Sequence, residues 1–153
     1  MAIKQTTYIK NLIPNFIEEN LNRKIYSGAF NASTLFLDIS GFTSMTEKMM
    51  KKGKEGAEIL SSVINEVFDP VIDTVYAHGG FISSFAGDAF TALFVDCSDH
   101  LSIFICSKKI EKLFKENKTF NTKFGKFNLH VKIGLSRGEV EWGIIGLKKH
   151  KAY

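Results

Sequence analysis

Thr34-Leu35-Phe36-Leu37-Asp38-Ile39-Ser40-Gly41-Phe42-Thr43 is the stretch on which the fold turns. Residues 34–37 are apolar or β-branched, as in a strand covered on both faces, and Asp38 ends the run. A helix start follows at once. Ser40 is a helix-capping residue type, Gly41 lets backbone approach a ligand closely, and Ser44 with Glu47 spells a capping box one turn later. The first helical residue is not fixed by these signals. In either register, backbone N–H groups between Ile39 and Ser44 lack helical acceptors and point beside Asp38, an arrangement that binds phosphate. A carboxylate next to a phosphate repels it unless a cation lies between them. Mg²⁺ suits that place, because one or two carboxylates and substrate phosphate oxygens are its usual ligands.

Outward from this stretch, helical spacing of Ile9, Leu12, Ile13, Phe16, Ile17 and Leu21 predicts a helix over 8–21, with Pro14 near its start or at a kink. Residues 22–32 carry Gly28 and little periodicity and read as a loop. After the central strand, a helix is expected over 44–50, a turn over 51–56 and a long helix over 57–77, where apolar pairs recur every fourth residue. Pro70 interrupts that pattern and predicts a kink near Glu66. His78-Gly79-Gly80 reads as a glycine cap. Strands over 81–86 and 89–95 then meet across Gly87-Asp88, a two-residue hairpin whose leading glycine suits a type II′ turn. A helix over 101–116 should bury Ile103, Phe104, Ile110, Leu113 and Phe114. Residues 117–126 read as a polar loop. Strands are expected over 129–136 and 139–145, joined as a hairpin at Arg137-Gly138, and the basic tail 147–153 has no assigned structure.

Strand, helices, strand, strand, helix, strand is the order of a split βαβ, ferredoxin-like α+β domain. In that topology the first and second strands are parallel with the third antiparallel between them. The end of the first strand then lies beside the tip of the hairpin, so Asp38 and Asp88 meet at one sheet edge although fifty residues separate them. Two carboxylates at a helix start form a site for two metal ions on a polyphosphate, with in-line displacement at phosphorus as the chemistry.

Composition sets the frame for this domain. The 153 residues are 44% hydrophobic, which suits one domain with a real core, and no apolar run reaches the length of a membrane span. Cys97 and Cys106 lie too far apart on one expected helix to bridge and lack metal-ligand spacing, so they read as reduced thiols of a cytoplasmic protein. The net charge of +4 comes from lysine clusters at 48–54, 108–126 and 148–151. These read as solvated faces, not nucleic-acid or membrane contacts, and the excess can steer an anionic substrate. His78, His100, His130 and His150 share no ligand spacing. Trp142 alternates with Val140 and Ile144 and reads as a core or interface residue, and Phe42 and Phe85 read as core beside the site.

Three blocks carry a resemblance. Residues 36–43, then Gly79-Gly80-Phe81-Ile82 with Phe85-Ala86-Gly87-Asp88-Ala89, then Ile133-Gly134-Leu135 through Gly138-Glu139 to Gly146 resemble the class III adenylyl and guanylyl cyclase catalytic domain, with the wording of 38–48 closest to the soluble adenylyl cyclase branch. The likeness covers about 32–146 and implies a palm-type antiparallel sheet with helices packed on it. Residues 1–153 are then one domain, with an N-terminal helix and linker over 1–31 and the cyclase core over 32–146. The resemblance implies that Asp38 and Asp88, with the Ile39 carbonyl, bind two Mg²⁺ or Mn²⁺ ions and are the catalytic acids. Gly41, Phe42 and Thr43 would hold the triphosphate of ATP or GTP. The ribose 3′-hydroxyl would attack the α-phosphorus and expel pyrophosphate, a lyase reaction that serves intracellular signalling.

The chain departs from the family pattern at two places. Ser84 stands where the family has a base-reading lysine. The family's transition-state asparagine and arginine lie past the last glycine block, which leads to the expectation that this chain is a C-terminally incomplete piece of the domain. A second cyclase domain, as homodimer, heterodimer or tandem partner, would supply the missing groups. The competing expectation is a non-catalytic regulatory or dimerisation module that keeps the fold.

Overall fold

The computed structural model describes residues 14–95, 101–117, 119–147 and 150–152. In chain order they form α1 (Asn15–Asn22), β1 (Ser27–Ser40), α2 (Phe42–Met50), α3 (Gly53–Ala77), β2 (Phe81–Ala86), β3 (Ala89–Val95), α4 (Leu101–Glu116), β4 (Thr119–Thr122), β5 (Gly125–Asn128), β6 (His130–Gly143), β7 (Ile145–Leu147) and β8 (His150–Ala152). The main sheet has the order β2-β3-β1-β6. β3 is antiparallel to both β1 and β2, so β1 and β2 are parallel with β3 between them, as the split βαβ order requires.

Residues 30–140 form one compact unit. Its core follows from strand alternation: Leu35, Leu37 and Ile39 of β1 point to one face together with Phe90, Ala92 and Phe94 of β3, and all six are buried. Val63, Val67, Val71 and Val75 form a helical stripe on α3 that covers this face, joined by Ile103, Cys106, Ile110 and Phe114 of α4. Burial pushes the Cys106 thiol up to about 11, only partly offset by Lys109, so it is a neutral packing residue. Cys97 and His100 lie outside the described residues.

Several local expectations need correction. β1 begins at Ser27, inside the segment expected to be a loop. α3 begins at Gly53, leaving only Lys51 and Lys52 as the turn, and its helix continues past Pro70, with Val67, Phe68, Val71 and Val75 buried to either side of the proline. Phe104 is exposed, since Ile103, Cys106, Ser107, Ile110 and Phe114 already define the buried stripe. The expected loop after α4 is the β4–β5 hairpin, in which Phe120 and Phe127 face each other and are both buried. No hairpin interrupts β6 at Arg137-Gly138: neither residue adopts the positive φ that a two-residue turn needs, and the strand continues. The segment after Gly143 holds the β7–β8 pair. The cap of α3 is as expected, with Gly80 N–H donating to the Val75 carbonyl and Gly79 N–H to that of Tyr76.

The described residues of the two end segments, 14–29 and 141–147 with 150–152, form the other compact unit. There Trp142 is half-buried and meets Phe16 edge-on at 5.1 Å, as a packing residue. The Tyr26 carbonyl accepts from Ile144 N–H at 2.7 Å.

Candidate active site

The β1–β3 register sets Asp38 opposite Ala89, so Asp88, at the tip of the β2–β3 hairpin, is next to the end of β1. A backbone bond locks this: Ile39 N–H donates to the Asp88 carbonyl at 3.3 Å. Gly87 has φ 65° and Asp88 does not share a positive φ, as a type II′ turn requires. The two acids that lie fifty residues apart in sequence are therefore brought to one sheet edge. Because Leu37 and Ile39 point into the core, Asp38 projects from the opposite, open face, where its carboxylate is 35% exposed.

The helix that follows completes the site. Gly41 is the N-cap of α2, with φ 93°, and a Cβ there would lie 2.6 Å from the Asn128 carbonyl oxygen at the end of β5. Both facts exclude any residue but glycine. The Gly41 carbonyl accepts from Met45 N–H at 3.2 Å and from Ser44 Oγ at 2.9 Å. Ser44 is thus turned back onto the carbonyl, and the Ser44/Glu47 capping box does not form. With no side-chain cap and no acid in the first turn, the N–H groups of Phe42, Thr43 and Ser44 remain as helix-start donors with no helical acceptor. Phe42 is buried against Phe68, with ring centroids 6.1 Å apart, which pins this turn to α3. Phe85 packs edgewise on Phe68 but is 56% exposed, so it is less buried than the sequence suggests.

Two contacts at the site had no sequence signal. Thr43 Oγ1 donates to Asp88 Oδ2 at 3.0 Å, tying the helix start to the hairpin acid. Lys132 Nζ lies 4.0 Å from Asp38 Oδ2. Of the histidines, His78 bonds the Thr74 carbonyl through Nδ1 at 2.7 Å as a helix-end residue, and His130 is exposed at the start of β6. Ser84 is exposed on β2, just after an irregularity in which Ser83 is the extra residue and donates its Oγ to the Thr91 carbonyl at 3.1 Å.

The donor set suits a hard divalent cation. It offers carboxylate oxygens, and among the described residues no group of three or more His, Cys, Asp or Glu forms a closed cage. Two carboxylates beside free helix-start amides match Mg²⁺ or Mn²⁺ shared with a phosphate, not a structural metal held by protein alone.

A ferredoxin-like sheet thus brings two acids to the end of β1, beside the start of α2. The family model described as the adenylate and guanylate cyclase catalytic domain matches residues 26–153, and the chain belongs to that family. It is 34% identical to human adenylate cyclase type 10 over 131 residues, which is 81% of this chain and 8% of the human protein. The crystal structure of the guanylyl cyclase Cya2 is similar with a TM-score of 0.64 and 29% identity, covering 84% of this chain and 64% of that one. The adenylyl cyclase CyaB from P. aeruginosa has the same fold, with a TM-score of 0.64 at 20% identity over 83% of this chain and 65% of that one. The palm-type α+β fold and the cyclase family are thereby established.

Proposed function

We propose that this chain is the metal- and triphosphate-binding half of a class III nucleotide cyclase, which converts ATP or GTP to the cyclic nucleotide and pyrophosphate when paired with a second cyclase domain. The observation that carries this reading is the meeting of Asp38 and Asp88 beside the uncapped start of α2. Residues 1–153 would act as one domain with its cyclase core over 32–146, in the cytoplasm. Among the described residues no helix is long and apolar enough to cross a membrane.

Asp38, Asp88 and the Ile39 carbonyl would hold two Mg²⁺ or Mn²⁺ ions. Bound ions would neutralise phosphate charge and make the ribose 3′-hydroxyl a better nucleophile. The chain's own part is positioning. The amides of Phe42 and Thr43, left without helical acceptors at the start of α2, donate to phosphate oxygens. The Thr43 hydroxyl holds Asp88 in one orientation. Ser84, exposed and uncharged, supports one alternative: a regulatory or dimerisation module that keeps the fold without reading a base.

Calorimetric titration with Mg²⁺ and a nucleoside triphosphate separates the two. Asp38→Ala and Asp88→Ala are each expected to weaken binding by tenfold or more. Equal affinity in the wild type and both variants would remove the metal site and leave the module.

A further inference from the structure

We propose that Lys132 is a place-holding counter-ion for the metal site. It covers Asp38 when no nucleotide is bound and moves to the triphosphate when metal and nucleotide enter together. The inference rests on the cyclase reading above and deepens it, by making metal entry depend on nucleotide.

The placement follows from alternation on two neighbouring strands. β6 lies next to β1 in the sheet. Val131 and Ile133 pack against the core, so Lys132 between them projects from the opposite face, the open face on which Asp38 also stands. The ammonium is 4.0 Å from Asp38 Oδ2, with side chains 75% and 35% exposed. Among the described residues it is the one cation paired with Asp38, while Asp88 is met by the Thr43 hydroxyl instead. The two carboxylates are thus held differently. One is fixed by a neutral donor, the other by a mobile charge.

An exposed pair at this separation contributes little to stability and exchanges readily. The lysine stem is long and flexible, and its ammonium donates in any direction. A divalent ion at Asp38 would repel it, so metal binding alone must displace a cation and leave it without a partner. When a triphosphate arrives with the metal, the displaced ammonium has phosphate oxygens within reach of its stem. The same residue therefore opposes metal alone and favours metal with nucleotide, which is positive coupling between the two ligands. A unit charge at about 4 Å in a water-like medium changes affinity by about fivefold per charge on the ligand side.

The test titrates the chain first with Mn²⁺ alone and then with Mn²⁺ plus α,β-methylene-ATP, which cannot be cleaved at the reacting bond. Wild type, Lys132→Gln, Lys132→Arg and Asp38→Ala are compared. Lys132→Gln is expected to tighten Mn²⁺ alone by about fivefold or more and to weaken the Mn²⁺–nucleotide complex by about as much, while Lys132→Arg follows the wild type. If the wild type binds and Asp38→Ala does not, but Lys132→Gln matches the wild type in both titrations or weakens Mn²⁺ alone, the counter-ion role is overturned and the cyclase reading stands. If wild type and Asp38→Ala behave alike, the metal site itself fails, and the counter-ion role with it.

Discussion

Gly41 shows how much one residue carries. Its φ of 93° lies where a side chain adds strain, and the Asn128 carbonyl occupies the place of a Cβ. Gly41→Ala is therefore expected to destabilise the chain by about 1–3 kcal/mol and to weaken triphosphate binding, because relief requires moving the start of α2. Gly138 is the matched control. It has no atom within 4 Å of a Cβ position and no positive φ, so Gly138→Ala should change stability by less than about 0.5 kcal/mol. Urea unfolding of the two variants checks both, and equal midpoints would show that α2 yields more easily than this contact implies. Asp38 and Asp88 were legible as residues because each is an acid that ends an apolar strand or tips a glycine hairpin. The Thr43 bond to Asp88 was not, because a contact across 45 positions leaves no local pattern.

At the scale of elements, α2 and α3 are held together by the absence of a side chain. A Cβ on Gly56 would lie 1.9 Å from the Met49 carbonyl oxygen, so the first turn of α3 rests directly on the last turn of α2. Alanine is the better helix former by about 1 kcal/mol, which on propensity alone makes Gly56→Ala stabilising. The contact reverses the sign: a loss of about 1–3 kcal/mol is expected, read as a lower unfolding midpoint, and a gain would mean that the two helices are free to separate. The same contrast between local and tertiary signals explains which elements the sequence shows. α3 and the β2–β3 hairpin are legible because apolar periodicity and turn glycines agree. The β4–β5 hairpin is hidden because Phe120 and Phe127, with Phe124 partly buried at the turn, stand among Thr, Asn and Lys without a strand period. Lys48 lies 5.4 Å from the Phe127 ring and Lys52 5.6 Å from the Phe124 ring, contacts that join this hairpin to the α2–α3 region and that no local pattern announces. β6 is misread in its middle because Arg-Gly looks like a turn locally, whereas the strand pairs onward with β1.

For the molecule as a whole, the division of labour proposed above predicts that residues 1–153 alone make essentially no cyclic nucleotide, even with metal held at Asp38 and Asp88 as proposed. Negative charge builds on the phosphorane oxygens and on the leaving pyrophosphate, and one absent preorganised donor typically costs about 10²-fold to 10³-fold in rate. The family resemblance places two such donors, an asparagine and an arginine, outside the three blocks present in this sequence. Ser84 supplies no charge for reading a base, so the ribose hydroxyl would be poorly aligned with the α-phosphorus even when the triphosphate is held at Phe42 and Thr43. Self-association does not mend this, since a second copy brings the same Ser84 and the same set of residues. A domain carrying the missing groups should. The measurement is cyclic AMP and cyclic GMP formation with Mn²⁺ by the 153-residue chain, alone and mixed with a cyclase domain that supplies base and transition-state contacts. Background rates alone and clear turnover in the mixture, lost on Asp88→Ala, are expected. Robust turnover by the chain alone, also lost on Asp88→Ala, would mean that residues 1–153 already hold the donors assigned here to the partner.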